Sequence, residues 1–305
     1  MRAKRLYGGP RVCTDRTENV CIGPYGGAPP GTEVIYLAET NHTPQSPGPG
    51  RRRRKRAAGA EIALNILKVL GTLLLIGITT GGANGMSTEE RFSVIEEFQP
   101  EMASANSGSM NFCYHKLAKG IDQPLHDWEL PYITRTYDNV FKNTFKDMEY
   151  CIRTMNRCGT LPEYEVFDYG QLSNLAYFKK EGIITQPIYI QFVPGVMGGF
   201  PMSGESMLFM IDQAKKILGG DVQYSTVAGG RRMFRFATMM AIQGGNVRVG
   251  MEDGLYIKSN GELATSNAQQ VEKIRRILES LDYEIATPQE AREMLHLKGK
   301  DQVNF

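Results

Sequence analysis

The sequence predicts an α/β fold, a (β/α)8 TIM barrel that is incomplete or degenerate in its first two β/α units. Three observations carry that expectation. From residue 72 onward, short apolar runs alternate with segments of helical period, and six such β units follow one another. Strands joined by helices build parallel sheets with right-handed crossovers. The apolar runs end in glycine or in small polar and charged residues, at the strand ends where a barrel keeps its chemistry. No GxGxxG turn follows the first run, although an open nucleotide-binding sheet would carry one there.

TLLLIGITTGG (72–82) reads as a buried strand. STEERFSVIEEF (87–98) opens on Ser and Thr and places Glu in its first turn, which is a helix start. EMASANSG (101–108) is strand-like, and the long segment 113–160 holds the only tryptophan, Trp128, and a helical piece, FKDMEYCIRTMNRCG. EYEVFDYG (163–170) is a strand, followed by a helix at QLSNLAYFKKEG (171–182) that Gly182 closes. Two more strand and helix pairs follow: PIYIQFVPG (187–195) with SGESMLFMIDQAKKILGG (203–220), and VQYSTVAGG (222–230) with MFRFATMMAIQGG (233–245). NVRVGMED (246–253) is the last strand. Helices then span 266–285 and 287–297, the second opened by Thr287-Pro288.

The first quarter differs. Residues 1–56 hold 7 of the 15 prolines and the run RRRRKR at 51–56. They read as an irregular Pro/Gly/Arg-rich segment with a first strand at 33–40, ahead of a barrel domain at 57–305. A parallel crossover takes about a dozen residues, so 60–67 and 72–79 are not successive parallel strands. Ile62, Ile66, Val69 and Leu70 recur at helical spacing, which gives a helix over 60–70 ended by Gly71.

The chain of 305 residues has a net charge of +2, so nothing global attracts nucleic acid. Its five cysteines are odd in number and form no CxxC pair, which points to free thiols in a reducing, cytoplasmic setting. No apolar core follows Met1–Arg5, so no signal peptide is expected. Ile62 to Thr80 follows a basic flank as a membrane span would, but Asn65 and Lys68 interrupt it. A mid-membrane lysine costs about 2.5–3.5 kcal/mol, and no membrane span is expected. An alternative use of 51–80 is contact with phosphates or an acidic membrane surface.

Chemistry concentrates in GGNVRVGMEDGLYI (244–257), where an apolar strand carries Arg248, Glu252 and Asp253 at its end. Other strand ends hold Thr79 and Thr80, then Ser104 and Asn106, then Glu163, Glu165 and Asp168. Each alone reads as a cap or a solvated loop residue. Their convergence on one rim favours a functional mouth.

These residues resemble a known family. GGNVRVGMED, LATSNAQQVEKIRRI and IATPQEAREML look like the β-keto acid cleavage enzymes, whose founding activity is 3-keto-5-aminohexanoate cleavage in lysine fermentation. ITTGG (78–82), PEMASANSGSMNF (100–112) and EYEVFDYGQLSNLAYF (163–178) match the same family, from about residue 72 to the C-terminus. The resemblance implies a zinc-dependent barrel that condenses a β-keto acid with acetyl-CoA, giving acetoacetate and a new CoA thioester. It implies Glu252 as a metal ligand, Asp253 as general base, and Arg248 as the group that orients and polarises that base. It also places Thr80, Ser104 and Asn106 in the substrate pocket and Glu165 among the catalytic acids. Homo-oligomeric assembly is implied as well. The chemistry suits the residue types: deprotonation beside a ketone leaves an enolate that a divalent cation stabilises, and polar side chains stabilise a thioester oxyanion.

The chain departs from the family in one respect. The remaining zinc ligands of the family are an HxH pair, yet His42, His115, His126 and His296 include no two that are two apart. One carboxylate is a poor zinc site, since catalytic sites use three protein ligands. The competing expectation is therefore a catalytically impaired member with its late-barrel residues intact. Trp128, Tyr132 and Tyr137 could serve an interface or a CoA cleft.

Overall fold

The computed structural model describes residues 19–23 and 33–37 in their backbone, and residues 74–82, 85–124 and 126–305 with their side chains. Strands β1 (Asn19–Gly23) and β2 (Glu33–Leu37) pair antiparallel, with Asn19 opposite Leu37. The expected helix at 60–70 and the basic run at 51–56 lie outside the described residues.

The body of the protein is an all-parallel sheet of six strands. In chain order the strands are β3 (Gly77–Ile78) and β4 (Met102–Asn106), a separate antiparallel pair β5 (Met110–Asn111) and β6 (Val140–Phe141), then β7 (Leu161–Val166), β8 (Tyr189–Phe192), β9 (Gln223–Thr226) and β10 (Asn246–Val247). The parallel order is β10-β9-β8-β7-β4-β3, so each successive strand docks beside its predecessor. Backbone of β1 lies against β10 and that of β2 against β3, at the two edges of the sheet.

Helices return the chain between strands: α1 (Thr88–Phe98), α2 (Glu129–Arg135), α3 (Phe145–Cys158), α4 (Tyr169–Lys180), α5 (Gly204–Leu218), α6 (Met233–Ile242), α7 (Asn267–Glu279) and α8 (Pro288–Met294). Their starts follow from side-chain caps. Ser87 and Thr144 form capping boxes with Glu90 and Asp147. Thr287 does the same with Glu290, with Pro288 in the first turn. Helix α3 stops at Gly159, whose φ of 60° is left-handed, a conformation glycine adopts without steric cost.

Strand alternation divides the sheet into two faces. Ala103, Ala105, Tyr164, Val166, Ile190, Phe192 and Tyr224 belong to the buried core that the helices cover. The opposite register carries polar side chains. Asn106 pairs with Glu165, Glu165 with Gln191, Gln191 with Ser225, and Ser225 with Asn246. One polar row therefore crosses five strands at a single level.

Three boundaries differ from the sequence reading. Strand β7 begins at Leu161 and ends at Val166, so Asp168 is not a strand-end acid. It caps α4 instead, accepting a hydrogen bond from Gln171 N at 3.2 Å. The last strand ends its ladder at Val247, and a turn follows in which Gly254 N donates to Gly250 O at 3.0 Å. In the described part of the run at 72–82 only Gly77 and Ile78 join the ladder with β4; beyond Ile78 the contact passes to a side chain, Thr80 N donating to Ser104 Oγ at 3.0 Å.

Candidate active site

At the C-terminal end of β10, Arg248 is 4% exposed and grips Asp253, which is 8% exposed. The guanidinium donates through Nε to Asp253 Oδ2 at 2.9 Å and through Nη2 to Oδ1 at 3.1 Å. This fork fixes the carboxylate in both position and rotation, which a point charge would not do. The turn at Gly250 brings Asp253 back over the strand that carries Arg248. Nη2 also reaches Glu252 at 3.3 Å, and that side chain is 41% exposed. Arg248 Nη1 donates to Gln191 Oε1 at 3.3 Å, and Gln191 Nε2 donates to Glu163 Oε1 at 2.7 Å and to Ser225 Oγ at 3.4 Å. A buried hydrogen-bonded chain thus runs from Asp253 through Arg248 and Gln191 to Glu163.

A second cluster sits at the ends of β3 and β4. Thr80 N donates to Ser104 Oγ at 3.0 Å and Thr80 Oγ1 donates to Ser104 O at 2.7 Å. Arg91 holds the same turn from α1, donating to Thr80 O at 2.9 Å and to Asn143 Oδ1 at 2.9 Å. Burial lowers the pKa of Arg91, and Cys151, Asp147 and Glu165 oppose that effect. Asn106, one level higher, is 6% exposed, and among the described residues neither atom of its amide has a hydrogen-bond partner. A buried unpaired amide costs about 1–3 kcal/mol, which a ligand with matching groups would offset.

The structure thus unites Arg248, Glu252 and Asp253 in one ion-paired group, and Thr80 with Ser104 in another. Glu165 stands in register with Asn106 and Gln191 between them. The segment after β4 crosses above. Ser107 N donates to Glu165 O at 3.1 Å, Phe112 packs edge-on against Phe167 with ring centres 5.9 Å apart, and Cys113 bridges to Met197.

The model of one protein family, described as beta-keto acid cleavage enzyme, matches residues 45–297. The chain belongs to this family. The 3,5-dioxohexanoate:acetyl-CoA acetone transferase of Paraburkholderia graminis is 42% identical over 231 residues, 76% of this chain and 74% of that protein. The 3-keto-5-aminohexanoate cleavage enzyme of Fusobacterium nucleatum is 35% identical over 226 residues, 74% of this chain and 71% of that protein. Among solved structures, the apo structure of ObcA superimposes with a TM-score of 0.53 at 18% identity, covering 73% of this chain. That likeness concerns the fold, an α/β barrel with an incomplete N-terminal part. The chain spans about half the length of the ObcA chain, 51%.

The zinc expected from the family does not fit the described residues. Glu252 points its carboxylate at Arg248, and no group of three His, Cys, Asp or Glu side chains stands close enough to share a metal ion. His115 Nδ1 lies 3.1 Å from Cys113 Sγ, and His126 stacks on Trp128 at 5.8 Å. His296 sits beyond the end of α8, and His42 lies outside the described residues. No helix among the described residues is long and apolar enough to cross a membrane. Trp128, Tyr132 and Tyr137 are exposed on the excursion between β5 and β6.

Two members of the buried chain escaped the sequence reading, Gln191 in YIQF and Ser225 in YST. For Gln191 the signal was present, a lone polar residue within a short apolar strand; Ser225 sits in the polar strand QYST and is marked only by its alternation. Glu163, read as a strand-end acid, is Gln191's partner deeper in the barrel.

Proposed function

We propose that the chain cleaves a β-keto acid with acetyl-CoA as co-substrate, giving acetoacetate and a new CoA thioester. The observation that carries this reading is the bidentate Arg248–Asp253 pair at the rim of the sheet, at 2.9 and 3.1 Å. Asp253 is the base that removes a proton from the carbon between the ketone and the carboxylate. Arg248 holds its oxygens in place and offsets the developing charge. The resulting carbanion attacks the acetyl carbonyl and CoA leaves as thiolate. The thiolate then adds to the original ketone, and the carbon–carbon bond breaks to release acetoacetate. Thr80, Ser104 and Asn106 line the pocket, with the unpaired Asn106 amide oriented to a substrate oxygen. Glu165, in register with Asn106, is the further acid. Zinc belongs to the family expectation, and no step is routed through it here.

Support comes from the relatives' names: one joins 3,5-dioxohexanoate to acetyl-CoA, and another names 3-keto-5-aminohexanoate cleavage. Either acid is a candidate substrate; the resemblance read from the sequence names the second as the family's founding activity and does not choose the acid this chain uses. The test is mass-spectrometric detection of acetoacetate and the CoA thioester from purified protein given acetyl-CoA and a panel of these acids with 3-oxoadipate, with and without added zinc. Product that vanishes in Asp253→Asn supports the reading. Absence of product from every acid overturns it and leaves the impaired member as the account of this chain.

A further inference from the structure

Helices α4 and α5 pack side by side, and each begins at the end of the sheet that holds Arg248 and Asp253, because each follows the C-terminal end of a parallel strand, β7 or β8. Between their first turns lies a cleft of about 400 Å³. It is lined by Tyr169 of α4, by Phe200 and Pro201 from the segment after β8, and by Glu205 and Phe209 of α5. Phe200 is buried, and its N–H donates to Phe167 O at 2.7 Å, which fixes that segment to the end of β7. The rings of Tyr169 and Phe209 stand 5.5 Å apart at 46° and are 44% and 50% exposed. Two half-exposed rings in an apolar cleft with one carboxylate suit a flat neutral ring that carries a hydrogen-bond donor.

Two arginines join the cleft to the Arg248–Asp253 pair. Met202, next to Pro201, accepts a hydrogen bond at its carbonyl from Arg232 Nη1 at 2.8 Å. Arg231 lays its guanidinium over the ring of Tyr256, 4.9 Å from the ring centre. Both arginines are exposed, and among the described residues neither is paired with a carboxylate. Their loop touches the turn that carries Asp253 backbone to backbone. Gly230, whose φ is +69°, donates through its N–H to Asp253 O at 3.0 Å. A Cβ on Gly254 would stand 3.0 Å from Gly230 O, so only residues without side chains allow this approach. Along the rim the order is therefore Asp253, then Arg231 and Arg232, then the cleft.

We propose that this track binds the nucleotide end of acetyl-CoA, with the adenine in the cleft against Tyr169 and Phe209 and the pyrophosphate on Arg231 and Arg232. The inference rests on the cleavage reading above for the placement of the acetyl group beside Asp253. The coenzyme runs in the same order as the rim: thioester, pantetheine arm, pyrophosphate, adenosine. Adenine stacks on aromatic faces, and its amino group donates to a carboxylate, which Glu205 supplies. Guanidinium groups meet phosphate oxygens with a planar fork of donors, and these two have no carboxylate to give up first.

Titration calorimetry of the full chain with acetyl-CoA and with acetyl-pantetheine, which ends before the phosphates and adenine, tests this. Wild type should bind acetyl-CoA at least about tenfold tighter than acetyl-pantetheine. Phe209→Ala, and Arg231→Gln with Arg232→Gln, should each weaken acetyl-CoA about tenfold and leave acetyl-pantetheine unchanged. In turnover their loss falls on KM for acetyl-CoA, not on kcat or on KM for the keto acid. Variants that weaken both ligands equally would mean a packing role and overturn the proposal, as would variants that weaken neither. A second measurement does not depend on how the variants fold. A coenzyme A analogue with an azide on its adenine, photolysed on wild type, should label the cleft at Tyr169 or within 200–209. Label on Trp128, Tyr132 or Tyr137 instead would overturn the seat. Wild type that binds acetyl-CoA with the stated preference but forms no acetoacetate sinks the cleavage reading and leaves the seat standing. Acetoacetate formed without any preference for acetyl-CoA over acetyl-pantetheine sinks the seat alone, and failure to bind either ligand sinks both.

Discussion

At the scale of single residues, the Arg248–Asp253 fork sets the strongest expectations. Asp253→Asn keeps the shape and removes the proposed base, so kcat for acetoacetate formation should fall about 10²–10⁴-fold. Arg248→Lys keeps a positive charge but loses the planar fork that meets both oxygens of Asp253. It should lose activity although the charge remains, and a steady-state assay of both variants beside wild type checks this. A lysine that restores full activity would show that charge alone suffices and that the fork is incidental. Glu252 gives a separate test of the metal question. Because its carboxylate meets Arg248 at 3.3 Å, Glu252→Ala should leave the metal content of purified protein unchanged by elemental analysis. Stoichiometric zinc that disappears in this variant would restore Glu252 as a ligand.

At the scale of elements, the helix starts were the most legible feature of the sequence. Ser87-x-x-Glu90 and Thr287-Pro288 announce α1 and α8, and both caps form as the local pattern requires. Strand ends were less legible. A strand's extent depends on the neighbour that pairs with it, so EYEVFD gave β7 but not its start at Leu161 or its end before Asp168. The excursion 107–144 was opaque, because its shape comes from long-range contacts such as Cys113 with Met197 and from no periodic pattern. The cap of α3 carries a pH prediction. Asp147 is subject to desolvation, which raises its pKa. Hydrogen bonds from Thr88 and Thr144, with the charge of Lys142, outweigh this and bring it from its ordinary 3.8 to about 2. A carboxyl depressed in the folded state stabilises above its unfolded value and loses that contribution as pH falls through the folded one. The thermal midpoint of wild type should therefore exceed that of Asp147→Asn above about pH 4, and the gap should close towards pH 2. A gap that is constant with pH would assign the effect to something other than this carboxylate.

At the scale of the whole molecule, the late barrel was legible because its strands each carry a polar residue at the inward alternation, and the rows these form are fixed by the parallel register. The bond that ties the far ends of the described chain together had no sequence signal, since its partners lie 191 residues apart. Arg292 on α8 donates through Nε to Glu101 at 2.8 and 3.0 Å and through Nη2 to Glu101 at 2.8 Å and to Leu74 O at 2.7 Å. Both side chains are buried at the entrance to β4, away from the rim that holds Arg248 and Asp253. The pair thus fastens the last helix to the foot of the sheet and to the residues leading into β3. Removing one partner leaves the other charge buried without its counterion, a loss of about 3–5 kcal/mol. Arg292→Met should accordingly lower stability by that order in urea unfolding. Replacing both residues, Glu101→Met with Arg292→Met, should recover most of it, because the double change removes both desolvated charges. A double variant as unstable as Arg292→Met would mean that the bond to Leu74 O, and not the ion pair, fastens the helix. Acetoacetate formation by the double variant at low temperature should match wild type, since neither residue touches the mouth.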